Sequence, residues 1–525
     1  MITAMHFFTH HPDVSRAKNF LLHGLLVCLL EFSVSAAETP NIVVIYADDM
    51  GYGDVSVNNP DSKIPTPNID RLAKEGMRFT DGHSSSGVCT PSRYSLLTGR
   101  YHWRTHLQKG VLGGFSLPLI APDRLTVAGA LKGAGYHTAC IGKWHLGMKW
   151  PLKGGGFADD KGNFSRAYKR ADEVDYTAPI QGGPVDVGFD HYYGISASLD
   201  MPPYVWIRDR LPTEDATVTK AFHRPGPAGE DFEAIDVQPG ITQRTVDYIA
   251  ERVEAAKSGQ PFFAYVPLAA PHTPIVPTDE FEGKSGINPY ADFVRQIDRD
   301  VGRILDALEE HDLAEDTLVI FTTDNGCSPA AKIGELQAAG HQPSYHFRGH
   351  KADHYEGGTR VPFLVRWPAK VEAGSVSDQI VGQVDFLATF AEMAGASVPA
   401  TAGEDSMSFL PALLGRADGS IRRSMVVQSI NGSFAIRDGQ WKLCLSPGSG
   451  GWSPPRPRKA VKRDLPPFQL YDLAADPGEK DNLYAQHPER VEAMKTMMLQ
   501  VIDRGRSTPG PEQSNDVPVK LVKTK

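Results

Sequence analysis

Two short runs of consecutive apolar residues, NIVVIYA at 41–47 and TLVIFTT at 317–323, each stop abruptly on oxygen-bearing side chains, Asp48-Asp49 and Asp324-Asn325. A run without polar alternation suits a strand covered on both faces, as in the interior of a parallel sheet flanked by helices. The same rhythm recurs along the chain. TPNIDRLAKEG (66–76) reads as a helix with Thr66 as N-cap, Pro67 at the first helical position, Ile69, Leu72 and Ala73 on one face, and Gly76 as its stop. LTVAGALKGAG reads as a helix, and HTACIG and PFFAYVPLA read as strands. In FVRQIDRDVGRILDALEEH, Phe293, Val294, Ile297, Val301, Ile304, Leu305 and Leu308 form one apolar helical stripe. Strands alternating with amphipathic helices predict an α/β fold with a doubly wound sheet.

At 525 residues the chain outgrows a single core, which predicts one large domain with a satellite. Residues 1–37 read as a signal peptide: Arg16 and Lys18 precede FLLHGLLVCLL, and the small residues of SVSAAE suit cleavage near Ala36 or Ala37. That apolar run is too short to span a bilayer and no other long one follows, so a mature chain without a transmembrane segment, exported to the periplasm or secreted, is expected. Residues 38–423 are assigned to the catalytic domain, with Gly- and Pro-rich loops expected between about 150 and 260. Residues 424–525 are assigned to a C-terminal α+β subdomain, with a hairpin around the Asp-Gly of SFAIRDGQWKLCL and a final helix near 488–503. RPRKAVKR (456–463) reads as a solvated loop, with contact to a polyanion as the alternative.

A net charge of −9 offers no global positive field for nucleic acid, so an anionic substrate must be held by local cations. Five cysteines without a CxxC pair or regular spacing argue against a disulfide framework. The two dyads at strand ends place Asp48, Asp49, Asp324 and Asn325 where open α/β sheets bind ligands. Adjacent carboxylates repel unless a cation neutralises them, and an all-oxygen set favours Ca²⁺ or Mg²⁺ over Zn²⁺. Cys89 stands before Thr90 and Pro91, read as N-cap and first helical residue, with Arg93 one turn on; a nucleophile there gains from the helix dipole. In GKWHLG, Lys143 and His145 are two apart and would share one side of an extended segment. His272 lies between the prolines of PHTP, and Lys351 on the Gly-bounded loop RGHKADHYEGG. His350 and His354 are four apart, but without helical context or a third ligand they do not make a zinc pair.

These motifs resemble, in order, those of the type I (formylglycine-dependent) sulfatases of the alkaline-phosphatase-like superfamily. The match runs through ADDMGYGD, CTPSRYSLLTGR, GKWHLG, PHTP, DNG, RGHKADHYEGG and LYDLAADPGEKDNL, from about residue 40 to 484. The loops resemble bacterial arylsulfatase and N-acetylgalactosamine-6-sulfatase-like carbohydrate sulfatases. The resemblance implies a large mixed, mostly parallel sheet sandwiched by helices. It also implies a sulfuric-ester hydrolase acting on a sulfated carbohydrate. By the same resemblance Cys89 would become formylglycine, through a formylglycine-generating or anaerobic sulfatase-maturating enzyme, and its hydrate would be the nucleophile. Asp48, Asp49, Asp324 and Asn325 would hold Ca²⁺, with Mg²⁺ as the alternative, together with residue 89; Arg93 would assist the nucleophile. Lys143 and Lys351 would clamp sulfate, His272 would protonate the leaving alcohol, His145 would take a proton from the second hydroxyl, and Ser198 would touch sulfate. His102, Trp103, Arg104 and His106 fall near the pocket rim as candidate readers of the substrate. Two alternatives remain at this stage: a formylglycine-dependent phosphonate or phosphate ester hydrolase, and a non-catalytic binder of sulfated glycans.

Overall fold

The computed structural model describes residues 39–162 and 168–522, so the expected signal peptide lies outside the described residues. Its central element is a ten-stranded sheet. The middle is parallel: Asn41–Ala47 pairs on one side with Thr317–Thr323 and on the other with Phe262–Pro267, which pairs with His137–Lys143, which pairs with His191–Ile195. Antiparallel strands flank this block, Phe363–Arg366 beside Thr317–Thr323 and Ile207–Arg208 beside His191–Ile195. The sheet is therefore mixed with a parallel centre, the α/β class expected.

Every residue of Asn41–Ala47 is buried, as its unbroken apolar run requires. Ile42, Val44 and Tyr46 enter one core with helices Cys89–Thr98, Val127–Gly133 and Phe386–Ala394. Val43, Ile45 and Ala47 enter the opposite core with Pro67–Lys74, Ala234–Lys257 and Pro289–Glu310. Each fully buried Val, Ile or Leu contributes about 1.5–3 kcal/mol relative to exposure, so both faces of this strand anchor the molecule.

The structure departs from the sequence reading at the start of the Cys89 helix, between 150 and 260, and at 456–463, where Pro457–Lys462 is a helix rather than a loop. The helix expected to begin after Thr90 begins at Cys89, with Val88 as N-cap. Thr90 Oγ1 instead accepts a hydrogen bond from Leu112 N at 3.3 Å, so its hydroxyl fastens a loop rather than capping the helix. The stretch expected as loops between 150 and 260 contains the sheet strand His191–Ile195 and a 24-residue helix, Ala234–Lys257, with Pro239 inside it.

From Ser424 the chain builds a separate four-stranded antiparallel sheet in the order Ser424–Gln428, Phe434–Asp438, Trp441–Cys444, Gln469–Asp472. Asp438 pairs with Trp441, leaving Gly439 and Gln440 as a two-residue loop; Gly439 takes φ 59°, which glycine adopts without a Cβ penalty. Helix Pro488–Asp503 lays Val491, Met494, Met498, Val501 and Ile502 on this sheet. The four described cysteines, Cys89, Cys140, Cys327 and Cys444, are free and buried.

Candidate active site

The carboxyl ends of the parallel strands converge on one buried polar cluster. In an extended chain neighbouring side chains point to opposite faces, so Asp48 and Asp49 could not meet there without a break in the strand. The break is at Asp49, which takes φ 71° in the left-handed region that Asp tolerates better than most residues. Asp49 N then donates to Asp324 Oδ1 at 3.1 Å, and Asn325 Nδ2 donates to Asp49 Oδ1 at 2.7 Å, so the two strand ends are tied through their own candidate ligands.

Cations enter from three directions. Arg93, one helical turn beyond Cys89, places Nη2 2.9 Å from Asp324 Oδ2 and 3.6 Å from Asp48 Oδ1. Lys143, the last residue of its strand, donates to Asp48 Oδ2 and, at 2.6 Å, to Ser198 Oγ. Lys351 donates to Asp49 Oδ2 at 2.7 Å. Ser198, the loosest of the sequence matches, thus lies against Lys143. His272 places Nε2 3.6 Å from Asp49 Oδ2, while its Nδ1 donates to Thr273 O at 2.7 Å, which leaves Nε2 facing the cluster.

His145 arrives by another route than expected. The strand ends at Lys143, and His145 adopts φ 56°, so a kink rather than strand alternation delivers the imidazole. Its Nε2 lies 2.9 Å from Leu112 O. A carbonyl only accepts, so Nε2 carries the proton and Nδ1, buried and without a hydrogen-bond partner among the described residues, presents a lone pair. Burial, then the Lys143 ammonium, holds this imidazole well below its usual range, so it is neutral and able to accept.

The donor atoms left over indicate what the cluster suits. Burial and the neighbouring Asp48 carboxylate push Asp324 up to about 7, against the opposing pull of Arg93 and Lys143. Oδ1 of Asp48 and Oδ1 of Asn325 are buried and accept no hydrogen bond among the described residues. Ligand atoms of Asp48, Asp49 and His272 lie within 4.8 Å of one another. An oxygen-rich set with spare buried lone pairs fits a hard divalent cation such as Ca²⁺ or Mg²⁺. A second acidic group, Asp81, His83 and Glu356, is instead satisfied by protein cations: Arg360 and Arg437 lie 2.8 and 2.7 Å from Asp81, and Lys442 lies 2.9 Å from Glu356.

Cys89 is 3% exposed at the start of its helix and packs with Val88, Val111, Ala197, Met201 and Ala352. Burial raises its thiol to about 11, against the pull of Lys143 and Lys351. An unmodified Cys89 would be protonated at neutral pH and a poor nucleophile.

Sequence reasoning passed over Asp200, two residues beyond Ser198, whose carboxylate accepts from Arg224. Burial opposes its ionisation, but His272, Arg224 and Lys143 outweigh that and hold it below the usual carboxylate range. The only available signal was its closeness to Ser198 in the chain. The rim residues fare differently. Trp103 is fully buried, stacked on Tyr101 with ring centroids 5.6 Å apart and edge-on to Phe434. Arg104 pairs with buried Asp405 through Nε and Nη2, both at 2.8 Å, and His102 is buried 2.6 Å from Gln428 Oε1. These three side chains are buried in contacts with Gln428, Phe434 and Asp405 rather than facing a substrate; of the four, only His106 is exposed. His350 and His354 do not converge on a metal either: His350 Nδ1 donates to Lys351 O and His354 Nε2 bonds Ser446 Oγ.

A strand-end acidic cluster beside a helix-start cysteine, on a mixed sheet with a small C-terminal partner sheet, defines the sulfatases. The family model "Sulfatase" matches residues 40–396, and the chain belongs to that family of enzymes. A model described as "N-sulphoglucosamine sulphohydrolase, C-terminal" matches residues 349–444. The chain is 34% identical over 516 residues to an N-acetylgalactosamine-6-O-sulfatase of Bacteroides thetaiotaomicron, covering 89% of this chain and 94% of that one. It is 32% identical over 504 residues to human arylsulfatase A, covering 90% of each. A solved Bacteroides thetaiotaomicron sulfatase, described under metabolism of multiple glycosaminoglycans, superposes with a TM-score of 0.74 at 32% identity, covering 88% of this chain and 99% of that one.

Proposed function

We propose that this enzyme removes sulfate from a sulfated saccharide carrying N-acetylgalactosamine 6-sulfate, using formylglycine made from Cys89 and a divalent cation, Ca²⁺ or Mg²⁺. The carrying observation is the convergence of four oxygen ligands and three cations beside a helix-start cysteine whose own thiol is held protonated. The sugar is inferred from likeness to the N-acetylgalactosamine-6-O-sulfatase. Export through a signal peptide, to the periplasm or beyond, belongs to the same proposal, supported by the apolar run after Arg16 and Lys18.

Asp48, Asp49, Asp324 and Asn325 would hold the cation, which supplies Lewis-acid polarisation of sulfate. Formylglycine, when hydrated, supplies a nucleophilic hydroxyl and a second hydroxyl through which sulfate can later be expelled. Arg93 and the positive helix end favour the ionised nucleophile. Lys143 and Lys351 meet the negative charge that builds on the sulfate oxygens and the leaving oxygen as the S–O bond breaks. His272, with Nδ1–H held by Thr273 O, would give the leaving sugar oxygen the Nε2 proton of its imidazolium form, and His145 Nδ1 takes the proton of the second hydroxyl so that sulfate departs.

The test is sulfate release from N-acetylgalactosamine 6-sulfate by protein co-expressed with a maturation enzyme, with mass spectrometry at residue 89. Cys89→Ala and Cys89→Ser are each expected to lose at least a thousandfold in kcat. Near-normal turnover by either variant defeats the mechanism. Faster cleavage of a phosphate or phosphonate ester than of any sulfate ester defeats the substrate class.

A further inference from the structure

The basic segment that reads in the sequence as a solvated loop, Arg456 to Arg463, carries five cations in eight residues of a chain with net charge −9. Arg456, Arg458, Lys459, Lys462 and Arg463 are all exposed, and none forms an ion pair among the described residues. Surface arginines elsewhere do, as in Arg170 with Glu173 and Arg299 with Glu280. Gathering unpaired like charges costs self-repulsion, which a bound polyanion relieves.

The segment is fixed to the catalytic rim. Its helix, Pro457–Lys462, rests on buried Ala460, and a Cβ added at Gly448 would meet Ala460 Cβ at 3.0 Å. Arg456 Nε donates to Trp452 O at 2.9 Å, and the amides of Trp452 and Ser453 donate to Asp353 Oδ1 at 2.9 and 3.2 Å. Gly451 abuts the backbone of Ala352, where a Cβ would stand 2.3 Å from the carbonyl oxygen. Ala352 in turn packs with Cys89 and follows Lys351. Trp452, with its backbone pinned in this way, still leaves 37% of its surface exposed. A half-exposed indole on a pinned backbone next to the Lys351 loop offers a flat apolar face to a sugar ring, and the cations lie just beyond it along the chain.

We propose that residues 452–463 form an accessory surface that holds the anionic chain of a polymeric sulfated saccharide, Trp452 stacking on a sugar next to the pocket and the five cations pairing with sulfates or carboxylates farther out. The proposal rests on the saccharide-sulfatase reading and extends it from a single sugar to a chain.

The test compares the matured full-length enzyme with a quadruple variant, Arg458→Ser, Lys459→Ser, Lys462→Ser, Arg463→Ser, which spares the Arg456 bond to Trp452. Chondroitin 6-sulfate and 4-nitrophenyl sulfate serve as substrates. Neutralising the patch is expected to raise KM for the polymer about tenfold at about 50 mM salt, with the gap closing at about 0.5 M, while kinetics on the aryl ester stay unchanged. Trp452→Ala is expected to raise polymer KM at both salt concentrations. Unchanged polymer KM in both variants overturns the proposal. Should the chain cleave neither substrate, the saccharide-sulfatase reading is what fails, and retention on immobilised chondroitin 6-sulfate still decides for the surface. Earlier salt elution of the quadruple variant supports the surface, and co-elution with the parent overturns it. Lys459→Glu, a single exposed change, repeats both measurements if the quadruple variant fails to fold.

Discussion

A kink at His145 decides which of its nitrogens can work. With Nε2–H committed to Leu112 O, the only atom able to accept a proton is Nδ1. His145→Gln keeps a side chain able to donate to that carbonyl but has no basic nitrogen. It is expected to release about one equivalent of alcohol per enzyme in a burst, then to lose roughly a hundredfold or more in steady-state sulfate release. Quench-flow with an aryl sulfate checks this, and a full steady state without a burst would remove His145 from the release step. A second histidine matters for stability. His354 is fully buried with Nε2 2.8 Å from Ser446 Oγ, and burial, then Lys442 and Arg348, pushes its pKa down from 6.5 to about 3. The unfolded chain takes up a proton near pH 6.5 while the folded chain stays neutral to about pH 3, so this residue subtracts stability as pH falls through that window. His354→Gln is expected to flatten the decline of the urea midpoint between pH 6.5 and pH 4. Parallel wild-type and variant curves would show that His354 does not carry the linkage.

At the scale of elements, legibility followed how much each one depends on distant partners. Asn41–Ala47 and Thr317–Thr323 could be read residue by residue because a doubly covered strand must be apolar throughout. Helix Pro67–Lys74 was readable from local capping and periodicity. Helix Ala234–Lys257 was not, because QPG at 238–240 reads as a turn and Pro239 removes one backbone donor inside the helix. Tertiary packing overrides that signal: Val237, Ile241, Tyr248 and Ile249 are buried in the core shared with helix Pro289–Glu310, and Gln238 Nε2 donates to Asp300 Oδ2 at 3.0 Å. The site shows the same division. Motifs named its residues, but the left-handed turns at Asp49, His145 and Ala352 that aim them are set by the surrounding fold. Pro239 is therefore a local defect tolerated by its context. Pro239→Ala is expected to stabilise the protein, by up to about 3 kcal/mol in chemical denaturation, as the missing helical bond is restored. A loss of stability would mean that the pyrrolidine ring itself packs productively.

Across the whole molecule, the C-terminal sheet supports the loop carrying Lys351. Ile430 N donates to Ala352 O at 2.9 Å and His354 N to Ser449 O at 3.2 Å, adding two anchors from beyond Ser424 to those that Lys351 N makes to Cys327 O at 2.9 Å and Ala352 N to Gly87 O at 2.6 Å. Beneath it lies a buried network spanning the two sheets. Lys442 Nζ sits 2.9 Å from both Glu356 Oε1 and Glu479 Oε1, Arg360 bridges Glu356 and Asp81, and Arg437 reaches Asp81 from the C-terminal sheet. Burial pushes Glu479 up to about 7 even with the Lys442 ammonium opposing it, which measures how poorly this pocket tolerates a lone carboxylate. Lys442→Met keeps the side chain's length and removes its charge, leaving two buried acids with one cation fewer. The expected cost is about 3–5 kcal/mol, the usual penalty for stranding a buried charge. Because Glu356 begins the helical turn Glu356–Thr359, five residues after Lys351, the loosened network should also reach the site. Below the melting midpoint, KM for sulfate ester should rise several-fold while residue 89 remains fully converted by mass. Calorimetry and steady-state kinetics on one preparation separate the two effects, and an unshifted midpoint would show that this ion network does not help hold the C-terminal sheet in place.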